Sequence, residues 1–221
     1  MSTLPSRAKR KSRAERAAEI GRTAREIARY DGLDAITLRA IALRIGVTSA
    51  LVSHYQPSME GLVASTFGSI VSAELAEVQR ELAAMPSAVE ALRALIRDLL
   101  GPERSTVTSL WLDAWSVARR NAALAREVAV QMDAWQEFLV SVLNRGCARG
   151  EFAVADPGAL AWQLLAIIDG LDAHAVMHHG DARDQRDLVR TIAEHELGLP
   201  TGTLAPAYLI DRGRPLKGTS H

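Results

Sequence analysis

The stretch LRAIALRIGVTSALVSHY, residues 38–55, decides the fold. It reads as two short helices joined by a tight turn, the spacing of a helix-turn-helix, whose second helix enters the major groove of DNA. Ala42 stands where the two helices approach closely, and Gly46 where the chain must turn without a Cβ; a larger residue at either place is expected to open the angle. Ile41, Ile45, Val47, Val52 and Tyr55 fall at the inward spacings of a two-helix corner, and Thr37 and Thr48 stand where each helix needs an N-cap acceptor. The second helix therefore starts at about Ser49. Its outward residues Ser49, Ala50, Ser53 and His54 are small or hydrogen-bonding, which lets the backbone lie close to base edges. An ordinary helical hairpin with a glycine turn fits the same residues, and the choice between the two rests on what surrounds them.

The formal net charge is zero over 221 residues, but it is unevenly placed: residues 1–57 hold eleven Lys or Arg against five Asp or Glu, and the remainder is acidic to the same extent. Arg7, Lys9, Arg10, Lys11, Arg13 and Arg16 form a basic arm suited to phosphate oxygens or a minor groove. The alternative is a solvated tail. A secretory signal is excluded because no apolar run follows the charges, and a transit peptide is disfavoured because Glu15 and Glu19 follow so soon.

Almost every periodic segment repeats at three and four residues and nothing alternates as a strand, so the expected fold is all-α. Ala17, Ile20, Ala24, Ile27 and Ala28 stripe a first helix closed by Asp31-Gly32. After the motif, Pro57-Ser58 opens a longer helix carrying Leu62, Val63, Phe67, Ile70, Val71, Leu75 and Val78. Pro86 ends it, and Ser87 with Glu90 forms a capping box for a helix ending at Gly101-Pro102. Two helices, 105–120 and 122–149, divide near Asn121; Asp156-Pro157 opens another through about His179, and 184–197 is the last. The expected organisation is a basic arm over 1–12, a helix-turn-helix domain over 13–60, a second helical domain over 61–197, and an irregular tail over 198–221, ordered against a partner subunit if at all.

The chain is long enough to bury about 70% of its unfolded surface. No apolar run in the sequence approaches the roughly 20 residues that span a bilayer, so a soluble, cytoplasmic protein without a membrane partner is expected. The single Cys147 cannot close an internal disulfide, fits a reducing compartment and reads as a packed thiol.

A basic arm, one helix, the GVTSALVSHY turn and recognition helix, then PSMEGL opening a fourth helix and an all-helical remainder together resemble the TetR family of transcriptional regulators. SHY at 53–55, EGLV at 60–63, the W-x-x-x-W segment and IIDGL are most similar to its BetI-like branch, typified by a choline-responsive repressor. The resemblance implies a DNA-binding domain followed by an effector domain, with Tyr55, Thr48 and Ser49 meeting backbone or bases and His54 near them. Members usually carry an aromatic residue where Gln56 stands and a phosphate-contacting lysine where Met59 stands, and the arginine-rich arm is expected to compensate for that lost cation. The candidate DNA contacts are thus Arg7, Lys9, Arg10, Lys11, Arg13, Thr37, Thr48, Ser49, Ala50, Ser53, His54 and Tyr55.

In the second domain Trp111 and Trp115 are four apart on one helical face, and Trp135 follows Met132 by nearly one turn on the next helix. They are either plain core or the wall of a pocket whose indoles suit cations and flat apolar ligands. Asp169 and Asp172 interrupt an apolar helix; Asp169 is a possible anionic partner for such a ligand, or is satisfied by a neighbouring Ser or Arg while Asp172 faces solvent. The expected effector is a small molecule, cationic or aromatic. The resemblance places a homodimer contact on the last two long helices, with Trp162, Leu165, Ile168 and Leu188 as candidates. Two recognition helices about 34 to 36 Å apart imply a palindromic double-stranded operator.

His174, His178 and His179 lack a convincing third ligand, so no metal or cofactor is expected and helix-end histidines at a subunit contact are the preferred reading. No catalytic motif supports an enzyme. A repressor released by a small molecule is the leading reading. An activator or ligand-independent DNA-binding protein of the same fold, or a helical small-molecule-binding protein or enzyme, stand as its alternatives.

Overall fold

The computed structural model describes residues 11–101 and 104–205, and among these residues the chain is helical with no strand. The elements are α1 (Arg13–Asp31), α2 (Leu38–Ile45), α3 (Ser49–Tyr55), α4 (Met59–Ala83), α5 (Ala88–Leu99), α6 (Ser105–Ala118), α7 (Ala122–Ala148), α8 (Pro157–Val176) and α9 (Ala182–Glu196). Packing divides them into two compact units. The first combines the chain up to Ile70 with Asp113–Val128; the second combines Val71–Leu112 with Ala129 onward.

The first unit holds α1, α2, α3 and parts of α4, α6 and α7. Ser12 and Glu15 close a reciprocal capping box on α1, and Ile20, Ala24, Ile27 and Ala28 are buried with Thr23. Ala17 is exposed rather than part of the stripe, because the buried face begins one turn later. Thr37 accepts from the Ala40 amide at 3.1 Å and Thr48 from Leu51 at 3.3 Å, so both helices of the corner carry the caps read from the sequence. Ile41, Ala42 and Val52 are buried, whereas Ile45, Val47 and Tyr55 are only half-buried. At Gly46 the expectation of a Cβ clash needs correction. Nothing lies within 4 Å of where that carbon would sit, and the constraint is the left-handed φ of 67°, which sets a side chain against its own backbone.

Two hydrogen bonds tie Asp113–Val128 to the N-terminal helices. The Asp113 carboxylate accepts from the Leu33 amide at 3.1 Å, and the Asn121 amide donates to the Glu60 carbonyl at 3.3 Å. Asn121 also caps α7 by accepting from Leu124 at 3.0 Å.

In the second unit Ser87 accepts from the Glu90 amide at 3.0 Å, but only that half of the expected capping box forms. Glu151, sixty-odd residues away, takes the free amides of Ala88 and Val89 at 2.7 and 3.1 Å. A negative charge at a helix start is favourable there whichever residue supplies it. Gly146 lies within α7, where the Phe152 ring packs so closely that a Cβ would come within 2.0 Å of it. Helix α8 stops at Val176, short of His179, and His178 takes a left-handed φ of 52° just beyond. Residues 199–205 of the expected irregular tail form turns that pack on their own chain: Glu194 accepts from the amides of Gly202 and Leu204 at 2.9 and 2.7 Å, and the Leu204 side chain is fully buried; residues 206–221 lie outside the described residues.

Candidate functional site

The first unit presents the exposed face of α3. Ser49, Ala50, Ser53 and His54 are all exposed there, and the His54 and Tyr55 rings meet edge to face at 5.1 Å between centroids. Thr37 and Thr48 are exposed as well, so their hydroxyls can donate outward while accepting a cap bond. Arg7, Lys9 and Arg10 lie outside the described residues. Arg13 is exposed, but Lys11 pairs with Glu19, which also accepts from Arg16 at 2.6 Å. Part of the basic arm is thus locally neutralised, although surface pairs of this kind contribute at most about 1 kcal/mol and yield readily to phosphate. Met59 begins α4, and Ser58 caps it by accepting from the Gly61 amide at 3.0 Å.

The second unit contains a cavity of about 410 Å³ between α5, α6, α7 and α8. Trp111, Met132, Trp135 and Asp169 line it together, as the pocket reading requires. Trp115 does not: α6 passes from one compact unit to the other at Asp113, and the second tryptophan falls in the first unit. Trp162, Leu165 and Ile168, expected at a subunit contact, also line the cavity. For Ile168 this is a correction, since it is only 4% exposed and has no surface to offer a partner. Trp162 is 63% exposed and serves the cavity wall and the outer surface of α8 at once; Leu188 on α9 is 48% exposed.

Asp172 is buried, which removes the alternative in which it faces solvent. It accepts from Arg104 Nη1 at 3.0 Å, and Arg104 Nε donates to Glu74 Oε1 at 2.8 Å. The guanidinium carbon lies 5.7 Å from the Trp135 ring centroid, within cation–π range. Burial, with the neighbouring Asp172 charge and against the pull of Arg104, pushes Asp169 up to about 6. Burial likewise raises Glu74 and Asp172, with Arg104 opposing in both. One guanidinium therefore faces three carboxylates in a confined space, and the cluster is short of positive charge. The Trp135 Nε1–H is buried without an acceptor.

Sequence reading missed Arg104. It lies at a turn before α6, outside any apolar period, and only the folded chain brings it to acids on α4 and α8. A second, larger cavity of about 1020 Å³ shares Arg104 and Leu99 with the first and is walled by more charged side chains, among them Glu74, Glu77 and Glu81 from α4 and Arg93, Arg97, Arg186 and Arg190. His174, His178 and His179 are exposed, with the rings of the first and last 5.4 Å apart, and no group of three metal-binding side chains converges among the described residues. Cys147 is half-buried.

Known proteins match both units. Residues 20–66 match the family described as bacterial regulatory proteins, tetR family, and residues 88–198 match the BetI-type transcriptional repressor C-terminal family. The HTH-type transcriptional regulator BetI of Burkholderia ambifaria (strain MC40-6) is 32% identical over 147 residues, covering 63% of this chain and 71% of that protein. BetI of Escherichia coli (strain K12 / DH10B) is 29% identical over 150 residues, covering 66% and 74%. Among solved structures, a transcriptional regulator from Saccharomonospora viridis in complex with choline superposes with a TM-score of 0.73 at 22% identity, covering 83% of this chain and 98% of that one.

Proposed function

The chain belongs to the TetR family of transcriptional regulators, with a BetI-type C-terminal region, and from that premise we propose that it binds a palindromic operator as a homodimer and is released by a small organic cation. The observation that carries the effector assignment is the cavity itself, which sets Trp111, Trp135 and Trp162 around Asp169. Indole faces and a confined carboxylate favour a quaternary or protonated amine, which cannot be recognised by many hydrogen bonds but is attracted to π-faces and negative charge. The unpartnered Trp135 Nε1–H adds a donor for an oxygen on the same ligand. The S. viridis regulator, solved with choline, supports this chemistry.

The arm and the exposed face of α3 carry operator binding, with phosphate contacts giving affinity and Ser49, Ala50, Ser53, His54 and Tyr55 near base edges. A second copy supplies the second half-site. Trp162, Leu165 and Leu188, on α8 and α9, are the residues we place at its contact, and the exposure of Trp162 and Leu188 supports this. Helices α4 and α8 are long and apolar enough by length and composition to cross a bilayer. In a DNA-binding regulator of the cytoplasm we assign those faces to protein packing, that of α8 to the partner subunit. The effector acts by binding better to the conformation whose recognition helices are wrongly separated for the operator, since only differential affinity can shift the equilibrium.

The test is a gel shift with the DNA immediately upstream of the protein's own gene, titrated with choline chloride against equimolar sodium chloride. Retention of that fragment over random duplex, lost on adding choline, is the expected result. Retention that choline leaves unchanged, while neutral or anionic compounds release the DNA, refutes the cationic effector. A Leu188→Glu variant that still sediments as a dimer refutes the assigned contact.

A further inference from the structure

Arg104 and Leu99 are the residues common to both cavities, and Arg104 alone of the two is charged. Its guanidinium covers Trp135, which lines the smaller cavity with Asp169, and bonds Asp172, which is buried behind that wall; toward the larger cavity it bonds Glu74. Its side chain is 11% exposed. An indole face plus a carboxylate is what an organic cation needs, and here the protein's own cation already holds both. On the other side, Glu74, Glu77 and Glu81 lie three and four residues apart on one face of α4 and line the larger cavity together, with Arg93, Arg97, Arg186 and Arg190 on its other walls and Arg97 near enough to feel the Glu81 charge. Glu74 Oε2 is buried there with no hydrogen-bond partner.

We propose that Arg104 is a resident competing cation, which an entering organic cation displaces from Trp135 and Asp172 into the larger cavity, onto the glutamates of α4. The inference rests on the cationic-effector reading above. Arginine cannot escape the conflict by losing its proton, so two cations at one indole are resolved only by movement. Both positions of the guanidinium have named partners: Trp135, Asp172 and Glu74 before, Glu74 with Glu77 and Glu81 after. Effector occupancy thereby becomes a change of ion pairing on α4, which supplies the differential interaction that any ligand-driven switch requires.

The test titrates full-length protein with tetramethylammonium chloride, followed by tryptophan fluorescence at ionic strength held with sodium chloride. Wild type is compared with Arg104→Met, Arg104→Lys and Glu77→Gln, each checked for folding by thermal melting. Both Arg104 variants are expected to bind about ten-fold tighter, the scale of one desolvated cation–π contact. Lysine matters most, because it keeps the charge and is the milder change. Its compact ammonium cannot bridge Glu74 and Asp172 while covering Trp135, so it competes less well. Glu77→Gln, outside the tryptophan cavity, is expected to bind several-fold more weakly because the displaced arginine loses a partner. Unchanged or weaker binding by Arg104→Lys overturns displacement, even if Arg104→Met binds tighter, since that pattern is charge repulsion alone. Unchanged binding by Glu77→Gln removes the glutamates of α4 as the destination. Binding by wild type leaves the cationic-effector reading standing in either case, whereas no binding by any of the four proteins overturns both.

Discussion

Replacing Asp169 by asparagine should stabilise the free protein while removing its cation affinity, a combination that an ordinary structural aspartate does not give. Asp169 moves from an unfolded value near 3.8 to about 6 in the folded chain, first through burial and then through the neighbouring Asp172. A shift of that size corresponds to roughly 3 kcal/mol, which water at the cavity mouth reduces to about 1–2 kcal/mol. The folded state holds its proton more tightly than the unfolded state, so stability falls as pH rises from about 4 to about 6 and the penalty is complete above that. Asparagine carries no such penalty. At pH 8 the variant should melt about 3–6 °C higher than wild type, and the two should converge only below about pH 4. A cation that pairs with ionised Asp169 should stabilise wild type more at pH 8 than at pH 5, and the variant at neither. Thermal melts at three pH values, with and without tetramethylammonium, read all of this. A variant no more stable than wild type at pH 8, or one that keeps the cation-induced shift, refutes the placement of an under-compensated carboxylate at this cavity.

Gly46→Ala should cost about 1–2 kcal/mol in chemical denaturation through the left-handed backbone at the corner, and Gly46→Asn less; equal stability of the two variants would mean that space, not φ, governs the turn. Gly146→Ala should cost about 1–3 kcal/mol by overpacking against Phe152, with partial recovery when Phe152→Leu is added, and additive losses in the double variant would contradict that contact. Deleting residues 1–12 removes Arg7, Lys9, Arg10 and Lys11, and should make the slope of log affinity against log salt less negative by up to about 3.6. An unchanged slope in a fluorescence titration of the operator would show that the arm leaves the phosphates alone.

The corner of residues 37–55 was legible because its signals are local. A threonine cap and its amide lie three residues apart, and the glycine that ends α2 answers a requirement of its own φ. The same holds for Asp156 at the start of α8. Where an equally local rule held only in part, a distant residue adds a contact that no local spacing announces. Ser87 kept its half of the capping box, but Glu151 took the amides that the box leaves free. Periodicity also could not say which helices share a core, so Asp113–Val128 was assigned to the second domain although Asp113 and Asn121 bond to the N-terminal helices.

The cavity was legible in part for a related reason. Spacing of three or four residues puts two tryptophans on one face but does not say whether the helix stays within one compact unit over that turn, and for Trp111 and Trp115 it does not. From its own segment Asp172 could equally face solvent, because a lone carboxylate in an apolar helix is costly to bury. That cost depends on a cation sixty-eight residues away in sequence, the Arg104 that bonds it. Burial raises Glu74, Asp169 and Asp172 alike and a single guanidinium opposes it at all three, so none of them could be assigned from its own segment. Charge balance in a confined site is a property of the assembled helices, and it is there, rather than in any helix alone, that an effector's charge would be felt.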